Sequence, residues 1–551
     1  MKIKNYLPLI LILILGGFLR FFQLDKFPVS PNWDEVSHGY NAYSILKTGM
    51  DEWGRAFPLI FRAFGDYKLP LYIYLTIVPV WLFGLNVFAI RFISALSGTL
   101  AILGLYLLAK ELFTDKKLAL LSAFLLAISP WHFFISRPAL EANLALTLII
   151  FGLYYLLRFF KASASLIPAV LFLGLSLHAY NTARVFVPLI VVFSWIIYKP
   201  KLKFDLSLLI SGLMTVIFAG LVIFQVYVGE GTARYEKLKI LSPTAVFQLG
   251  EKRATSKLPP LIAKLLINRP VYFLTTVGKS YVNYFSPAFF NQSRGAQYQF
   301  AIPGQNLLTL PVFIFAFFGF FLFLPRIKNR ENFQFLYLAL LLSPFAASLT
   351  IDPPQALRPN PMIPVLIIFA GLGFSRLLAL VPFAGKKLFS AIIFFWLIIS
   401  FAFYLQDYTG SYKIKYSDSW QFGFAEAMNY VHLHQAEYDR VFITKRYGES
   451  HIFYAFFTKL SPVAIQPGHD NIRYKKSDWF WTDRIGQVYF INDWDIPTGE
   501  AKTLSLESGP QVSAHHSLLI TSPLRVPTNA VLLKTINYLD GSPAFIIATV
   551  P

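Results

Sequence analysis

The chain has 551 residues, none of them cysteine; 56% are hydrophobic, 17% aromatic and 14% charged, and the formal net charge is +20. A soluble globular chain carries roughly a quarter charged residues, so this composition favours a polytopic membrane protein instead. The basic residues form short clusters between apolar runs rather than one patch, which argues against nucleic-acid binding, and the lack of cysteine excludes disulfides and thiolate catalysis.

Apolar runs of membrane-spanning length predict about eleven transmembrane helices. They lie near residues 6–22, 86–109, 118–136, 139–157, 165–180, 184–198, 205–228, 306–325, 333–350, 361–382 and 388–406. The first run has no small-residue cleavage site, and we interpret it as an uncleaved signal anchor.

Lysine and arginine residues recur in every second gap between the predicted spans. They are Lys2, Lys4, Lys110, Lys116, Lys117, Arg158, Lys161, Lys199, Lys201, Lys203, Arg326, Lys328, Arg330, Lys386 and Lys387. The positive-inside rule makes that side cytoplasmic, so we expect a multi-pass protein of the cytoplasmic membrane with a cytoplasmic N-terminus. The loops near 23–85 and 229–305, and everything after about residue 406, then lie outside.

Two parts of these external loops have an apolar or aromatic character. Residues 69–85 are interrupted by prolines and predict a juxtamembrane or re-entrant helix. Residues 281–290 are rich in aromatics and are compatible with an interfacial helix, a mobile cover or an ordinary loop.

The composition changes to that of a soluble domain near residue 406. Helical periodicity covers residues 419–435, and residues 440–444 and 487–491 are typical of short buried strands. Residues 531–537 and 544–550 predict a hairpin that turns at Asp540-Gly541. We therefore predict an all-α polytopic membrane domain over residues 1–406 and an extracytoplasmic α/β domain over residues 407–551.

Charged and polar residues collect on the predicted outer side. The pair Asp34-Glu35 follows the first span, and Asp66 and Lys68 follow about thirty residues later. Further members stand at outer ends of spans: Arg137, Glu141, His178, Tyr180, Arg184 and Arg358. Charges near a membrane are costly, which favours a functional or paired role.

Carboxylates and cations on one membrane face suit the transfer of a sugar from a lipid phosphate. A carboxylate can take the proton of an acceptor hydroxyl, and arginine or lysine can stabilise the departing phosphate. A lipid-borne donor also agrees with the absence of a Gly-rich nucleotide loop from the sequence.

Simpler interpretations exist for each residue. An Asp-Glu pair in a loop is also typical of a solvated surface or a helix cap, His178 of a packed helix, and Arg91 of a side chain that reaches the interface from within a span. The histidines have no metal-ligand spacing, and no cofactor is predicted, although loop acids leave a divalent metal possible.

The order of these motifs resembles the GT-C glycosyltransferases, in the branch of the protein O-mannosyltransferases and aminoarabinose transferases. Residues 33–35 resemble the acidic motif of that family's first external loop. Residues 66–72 resemble its acid-x-Lys/His-Pro-Pro-Leu stretch, with Leu69 in place of a common proline. Residues 136–141 resemble its Arg-plus-acid motif, and residues 358–364 resemble its late Arg-Tyr-x-Leu-Pro segment, with Pro359 in place of the aromatic.

The resemblance implies an inverting transfer from a polyprenyl-phosphate sugar to an acceptor hydroxyl outside the membrane. It implies Asp34 as the general base, Lys68 and Arg137 near the donor phosphate, and Glu35 and Asp66 as orienting groups. The sugar and the acceptor (protein, lipid or glycan) stay open. The alternatives are a flippase for a lipid-linked sugar and a membrane-anchored sensor. Deletion of residues 411–551 would abolish the function of a sensor, whereas an enzyme should keep residual transfer.

Overall fold

The computed structural model describes residues 6–162, 164–201, 204–227, 239–292, 297–351 and 354–551, without the side chain of residue 329. Lys2, Lys4 and Lys203 of the predicted cytoplasmic set, and residues 229–238 and 293–296 of the second predicted loop, lie outside these ranges. The contacts divide the chain into two compact units. The helical unit contains Met1–Arg20, Leu96–Ser136 and Glu141–Leu405, and the mixed unit contains Phe21–Ala95, Arg137–Leu140 and Gln406–Pro551.

The described residues are mostly helical. The α-helices are α1 (Leu7–Phe21), α2 (Trp33–Thr48), α3 (Pro70–Phe83), α4 (Val87–Phe113), α5 (Lys116–Ala127), α6 (Pro130–Ile135), α7 (Glu141–Ala162), α8 (Ile167–Leu177), α9 (Ala183–Tyr198), α10 (Leu206–Tyr227), α11 (Pro243–Ala254), α12 (Pro260–Leu266), α13 (Arg269–Asn283), α14 (Pro287–Phe290), α15 (Leu310–Phe323), α16 (Glu331–Leu342), α17 (Phe345–Ser348), α18 (Met362–Leu380), α19 (Lys386–Thr409), α20 (Ser411–Lys415), α21 (Phe424–His434), α22 (Ser450–Phe457) and α23 (Pro462–Ile465).

Each predicted span contains helix within the described residues, and one of the differences has a clear local cause. The predicted span 118–136 is interrupted at Ser129, where Pro130 begins α6 because proline cannot continue the hydrogen bonds of α5. Within the described residues, six helices are long and apolar enough to cross a membrane, and four shorter apolar helices accompany them. The count of eleven crossings stays a prediction.

The helical unit is held by close helix packing and by a buried cation. Gly319 of α15 faces the backbone of Phe369 in α18, where a Cβ atom would clash with the carbonyl oxygen. The guanidinium of Arg20 is fully buried and donates to the carbonyl oxygens of Gly16 (3.0 Å) and Ala127 (3.2 Å). These bonds satisfy a charge inside apolar surroundings.

The strands of the described residues are β1 (Phe61–Arg62), β2 (Tyr67–Lys68), β3 (Arg440–Thr444), β4 (Asn471–Lys476), β5 (Trp479–Ile485), β6 (Val488–Ile491), β7 (Thr503–Ser505), β8 (Gln511–Ser513), β9 (Ser517–Thr521), β10 (Val531–Asn537) and β11 (Pro543–Val550). Seven of them form one sheet in the order β10-β11-β9-β3-β6-β5-β4. β3 is parallel to both β6 and β9, and the other neighbours are antiparallel.

The predicted α/β character of the C-terminal segment is confirmed. The predicted strands 440–444 and 531–537 match β3 and β10, and the predicted hairpin is the antiparallel pair β10–β11. The centre of β3, Val441–Ile443, is a continuous apolar run, and four of the five residues of the strand are buried between two layers.

The core of the mixed unit is built from both ends of its sequence. Val36, Tyr40 and Ile90 from the first predicted loop and its flanking span pack in one cluster with Phe453 and Phe490 of the C-terminal segment. The linear division at residue 406 did not anticipate this arrangement, because the packing joins residues separated by several hundred positions.

Candidate active site

The Asp34-Glu35 pair lies in the first turn of α2. Asn32 caps this helix: its side chain accepts from the Glu35 amide (3.0 Å), and the Glu35 carboxylate accepts from the Asn32 amide (3.2 Å). Such a reciprocal capping box satisfies two free amides, and acidic side chains in a first turn are favoured by the helix dipole. The local sequence therefore fixes the start of α2 and places both carboxylates in its first turn.

Glu35 is buried and fully engaged. Its Oε2 atom accepts from Arg91 Nε (2.8 Å) and from the Ala139 amide (2.8 Å), and its Oε1 atom accepts from Arg91 Nη2 (3.1 Å). Only 1% of the residue is exposed. The carboxylate thus joins the start of α2 to α4 and to the segment that follows α6.

Arg91 does not reach toward the interface, so that interpretation was wrong. The residue is completely buried, and besides Glu35 it donates to the carbonyl oxygens of Leu24 (3.0 Å), Pro28 (2.9 Å) and Ser30 (2.8 Å). A buried carboxylate partner within the same unit explains why the side chain stays inside. The sequence signal for this buried role was a charged residue four positions after the start of the apolar helix α4.

Asp34 has a different environment from its neighbour. Its side chain is 43% exposed, and its Oδ1 atom lies 3.1 Å from Lys68 Nζ. Lys68 is itself mostly buried, and its ammonium group also lies 4.0 Å from Asp66 Oδ2. Three predicted residues therefore meet in one carboxylate–ammonium–carboxylate cluster that is open to solvent at Asp34.

The hairpin β1–β2 positions Lys68. Phe61 pairs with Lys68, and the Ala63 amide donates to the Asp66 carbonyl (2.9 Å) to close the turn. The Phe480 amide of β5 donates to the Phe64 carbonyl in the same turn (2.6 Å). The C-terminal sheet thereby supports the loop that carries two of the predicted site residues.

Arg137 lies in the mixed unit and binds backbone. Its Nε donates to the Phe27 carbonyl (3.1 Å), and Nη2 donates to the carbonyls of Phe22 (2.9 Å) and Gln23 (3.0 Å). The guanidinium also faces the ring of Tyr408 at 5.9 Å, and the residue is 2% exposed. These contacts close the turn between α1 and α2.

The start of α2 is also held by the C-terminal segment. The Trp33 amide donates to Gln421 Oε1 (2.9 Å), and the Trp33 ring packs on Gly448. Sequence reasoning missed these partners, and it missed a second link in which Glu52 Oε2 lies 2.8 Å from Arg473 Nη2. Nothing local in the sequence identifies pairs so far apart.

The other predicted residues belong to the helical unit. His178 Nδ1 lies 3.1 Å from Gln225 Oε1, and Arg184 Nη2 donates to the same oxygen, so Gln225 joins the two. Tyr180 is buried beside them in the turn between α8 and α9. Glu141 is the first residue of α7.

Arg358 is the last predicted site residue of the helical unit. Its Nη1 atom donates to Thr350 Oγ1 (2.5 Å), and only 7% of the residue is exposed. In the part of the chain that the structure describes, no three histidine or acidic residues are grouped in a way that would hold a metal ion.

Comparisons with known proteins agree with this architecture. The model of the family dolichyl-phosphate-mannose-protein mannosyltransferase matches residues 68–227. The structure of ArnT from Cupriavidus metallidurans bound to undecaprenyl phosphate aligns over 98% of this chain and 97% of that chain, with 11% identity and a TM-score of 0.54. No curated protein sequence matches this chain.

Two solved structures are less similar. The oligosaccharyltransferase of Archaeoglobus fulgidus aligns over 83% of this chain and 64% of that chain (14% identity, TM-score 0.47). The protein O-mannosyltransferase Pmt1–Pmt2 complex of S. cerevisiae aligns over 47% of this chain and 38% of that chain (18% identity, TM-score 0.31). Both TM-scores are too low to support an inference.

The family match and the ArnT-like fold confirm the predicted resemblance to the GT-C glycosyltransferases. They also confirm the predicted enzyme class, a membrane glycosyltransferase that uses a lipid-linked sugar donor.

Proposed function

We propose that this enzyme transfers a monosaccharide from a polyprenyl-phosphate donor to an acceptor hydroxyl at the outer face of the cytoplasmic membrane, with Asp34 as the general base. The observation that carries the proposal is the contrast within the acidic pair. Asp34 is 43% exposed beside Lys68, whereas both oxygens of Glu35 are committed to Arg91 and to backbone amides. A base must reach a substrate proton, and only Asp34 of this pair can do so.

The reaction that we propose is a single displacement. Asp34 removes the proton of the acceptor hydroxyl while the hydroxyl oxygen bonds to the anomeric carbon from the face opposite the phosphate. The bond between that carbon and the phosphate oxygen breaks, and its electron pair leaves with the lipid phosphate. The configuration at the anomeric carbon is therefore inverted.

Cations stabilise the leaving phosphate in this scheme. Lys68 is the first candidate, because its ammonium group lies beside the base. The phosphate-binding roles predicted for Arg184 and Arg358 of the helical unit stay predictions. We assign Arg137 a positioning role, because its guanidinium is committed to three carbonyl oxygens.

The donor class draws support from the proteins with similar sequence or fold. The matched family is described by dolichyl-phosphate-mannose, and the ArnT structure was determined with undecaprenyl phosphate. A polyprenyl phosphate is common to both names. Mannose is accordingly the first sugar to test.

The test compares Asp34→Asn with Asp25→Asn, which removes an exposed carboxylate from the same loop. Both variants are expressed in a deletion strain, and the glycans and glycolipids of the envelope are measured by mass spectrometry. We expect Asp34→Asn to lower transfer at least about 100-fold and Asp25→Asn to leave it near wild type. Equal thermal stability of the purified variants controls for folding, and near-normal transfer by Asp34→Asn would refute its role as base.

A further inference from the structure

Helices α11, α12 and α13 follow the span α10 and have no place in the reaction proposed above. The segment is anchored at both ends within the helical unit. Lys239 forms a β-bridge with Thr350, and the Leu307 amide donates to the Phe290 carbonyl (2.7 Å) while the Trp131 amide donates to the Leu307 carbonyl (2.9 Å). The helices between these anchors are therefore held close to the ends of spans.

A further bond fixes the C-terminal end of α13. The Tyr281 hydroxyl of α13 donates to the carbonyl oxygen of Leu341, in the last turn of the apolar helix α16 (2.8 Å). This bond ties α13 to the C-terminal end of α16, which lies within the predicted span 333–350.

The segment exposes several large apolar side chains, and their exposure to water is unfavourable. Four residues of the seven-residue helix α12 are large, apolar and exposed: Leu261 (74%), Ile262 (41%), Leu265 (62%) and Leu266 (56%). Phe247 on α11 and Leu274 and Val282 on α13 are also exposed, each by at least 66%. Exposed apolar side chains in this number mark an interaction site, and close to the ends of spans their natural partner is the bilayer.

The same segment is strongly basic. Residues 239–283 contain the cations Lys239, Lys252, Arg253, Lys257, Lys264, Arg269 and Lys279, against one acidic residue, Glu251. Apolar side chains beside a surplus of cations are typical of a helix that lies in the interface of an anionic membrane.

Two of the arginines line a cleft between α11 and α13. The cleft has a volume of about 410 Å³, and Arg253, Arg269 and Asn268 line it together with apolar Val246, Leu249 and Ile267. Guanidinium groups match phosphate oxygens in pairs, and the apolar wall suits the glycerol and upper acyl carbons of a lipid.

We propose that α11–α13 is a lipid-binding surface, on which the leucines of α12 insert into the bilayer and the cleft of Arg253 and Arg269 binds the phosphate of an anionic phospholipid. This function is independent of sugar transfer. It holds α11–α13 at the membrane surface by contacts with lipid.

Insertion is tested by site-directed spin labelling of the full-length protein in nanodiscs. The chain has no cysteine, so a single introduced cysteine is the sole labelling site. Leu265→Cys is compared with Leu213→Cys, 62% exposed in the span α10, and with Leu433→Cys, 64% exposed in α21 of the mixed unit. We expect the label at 265 to be accessible to oxygen, as at 213, and protected from an aqueous nickel complex, unlike 433. Aqueous accessibility at 265 would overturn the proposal.

The phosphate site is tested with a fluorophore at the same cysteine. Quenching by headgroup-labelled phosphatidylglycerol, relative to labelled phosphatidylcholine, measures the local enrichment of the anionic lipid. Arg253→Gln/Arg269→Gln is compared with Lys252→Gln/Lys279→Gln, which removes the same charge from the same two helices outside the cleft.

We expect the arginine pair to lose enrichment by about fivefold per residue, roughly 25-fold together, and the lysine pair to keep most of it. Equal losses in the two variants would show that diffuse surface charge causes the enrichment of the anionic lipid, and would overturn the assignment of the cleft. The label at 213 should give the same signal in all variants, which controls for folding.

Discussion

Burial of an ionisable side chain favours its neutral form, and Glu449 is an example in the mixed unit. The residue is 6% exposed; its Oε1 atom accepts from Trp479 Nε1 (2.7 Å), and its Oε2 atom lies 3.5 Å from His451 Nδ1. Burial raises the pKa of the Glu449 carboxyl to about 7. The other charged groups that act on it are Lys445, Glu52 and Arg473.

Glu449→Gln should change how the stability of the protein depends on pH. A folded-state pKa above the usual 4.5 means that the native state holds this proton more tightly, so the stability it contributes is lost as pH rises through about 7. We expect the stability of wild type relative to Glu449→Gln to fall by about 2 kcal/mol between about pH 5.5 and pH 8.5. Thermal unfolding of both proteins at the two pH values measures this difference.

His451 supplies the control for that comparison. Burial lowers the pKa of the His451 imidazole well below its usual value, so its own contribution is lost as pH falls below that value. This opposite slope is present in both proteins and cancels to first order in their difference. A difference that stays constant with pH would show that Glu449 is ionised in the folded protein throughout the range.

At the scale of elements, the start of α2 depends on one buried ion pair. Arg91 binds both oxygens of Glu35 and the carbonyls of three residues that precede the helix. The pair therefore fixes the backbone on the N-terminal side of Asp34. Its contribution is to position the carboxylate rather than to react.

Arg91→Met should be strongly destabilising, because it leaves the Glu35 carboxylate buried without its cation. The expected loss is about 3–5 kcal/mol, measured by thermal or denaturant unfolding. The double variant Glu35→Gln/Arg91→Met should recover part of this loss, since no charge is then left unpaired. A single variant within about 1 kcal/mol of wild type would instead indicate the small contribution of a solvated pair.

The elements that could be predicted are those whose signal is local. Residues 440–444 contain the apolar run Val441–Ile443 and form β3, and residues 361–382 are an apolar run of span length that contains α18. The interruption at Pro130 was visible in the sequence but was read as part of one span, because average hydropathy outweighs a single proline. The partner of Arg91 was not predictable in the same way, since Glu35 lies 56 positions earlier and on another helix.

At the scale of the whole molecule, the mixed unit changes the meaning of one proposed experiment. Deletion of residues 411–551 was expected to separate a sensor from an enzyme with residual transfer. Val36 and Tyr40 of α2, however, share their core with Phe453 and Phe490. The deletion would expose the buried side of the helix that carries Asp34, so loss of transfer would no longer distinguish the two functions.

The same deletion makes a sharper prediction about folding. Without the C-terminal half of its core, the segment around α2 and the hairpin β1–β2 should lose its protection from proteases. We expect trypsin to cleave the deletion variant at Arg55 and Arg62 under native conditions, where the full-length protein resists. A truncated protein that stayed resistant at both sites would show that the first loop folds without the C-terminal segment.

A comparison of two glycines distinguishes the effect of the contact between Trp33 and the C-terminal segment from the effect of backbone strain. Gly448 (φ +112°) and Gly509 (φ +111°) both adopt a conformation that disfavours other residues, so alanine at either position should cost about 1–2 kcal/mol. A Cβ atom at Gly448 would also clash with the Trp33 ring, beside Asp34, whereas one at Gly509 would meet nothing within 4 Å. We therefore expect Gly448→Ala to lower the rate of sugar transfer well beyond Gly509→Ala, as measured by transfer assays on the folded fraction of both variants. Equal rates would mean that the contact between Trp33 and the C-terminal segment does not position Asp34, the proposed base.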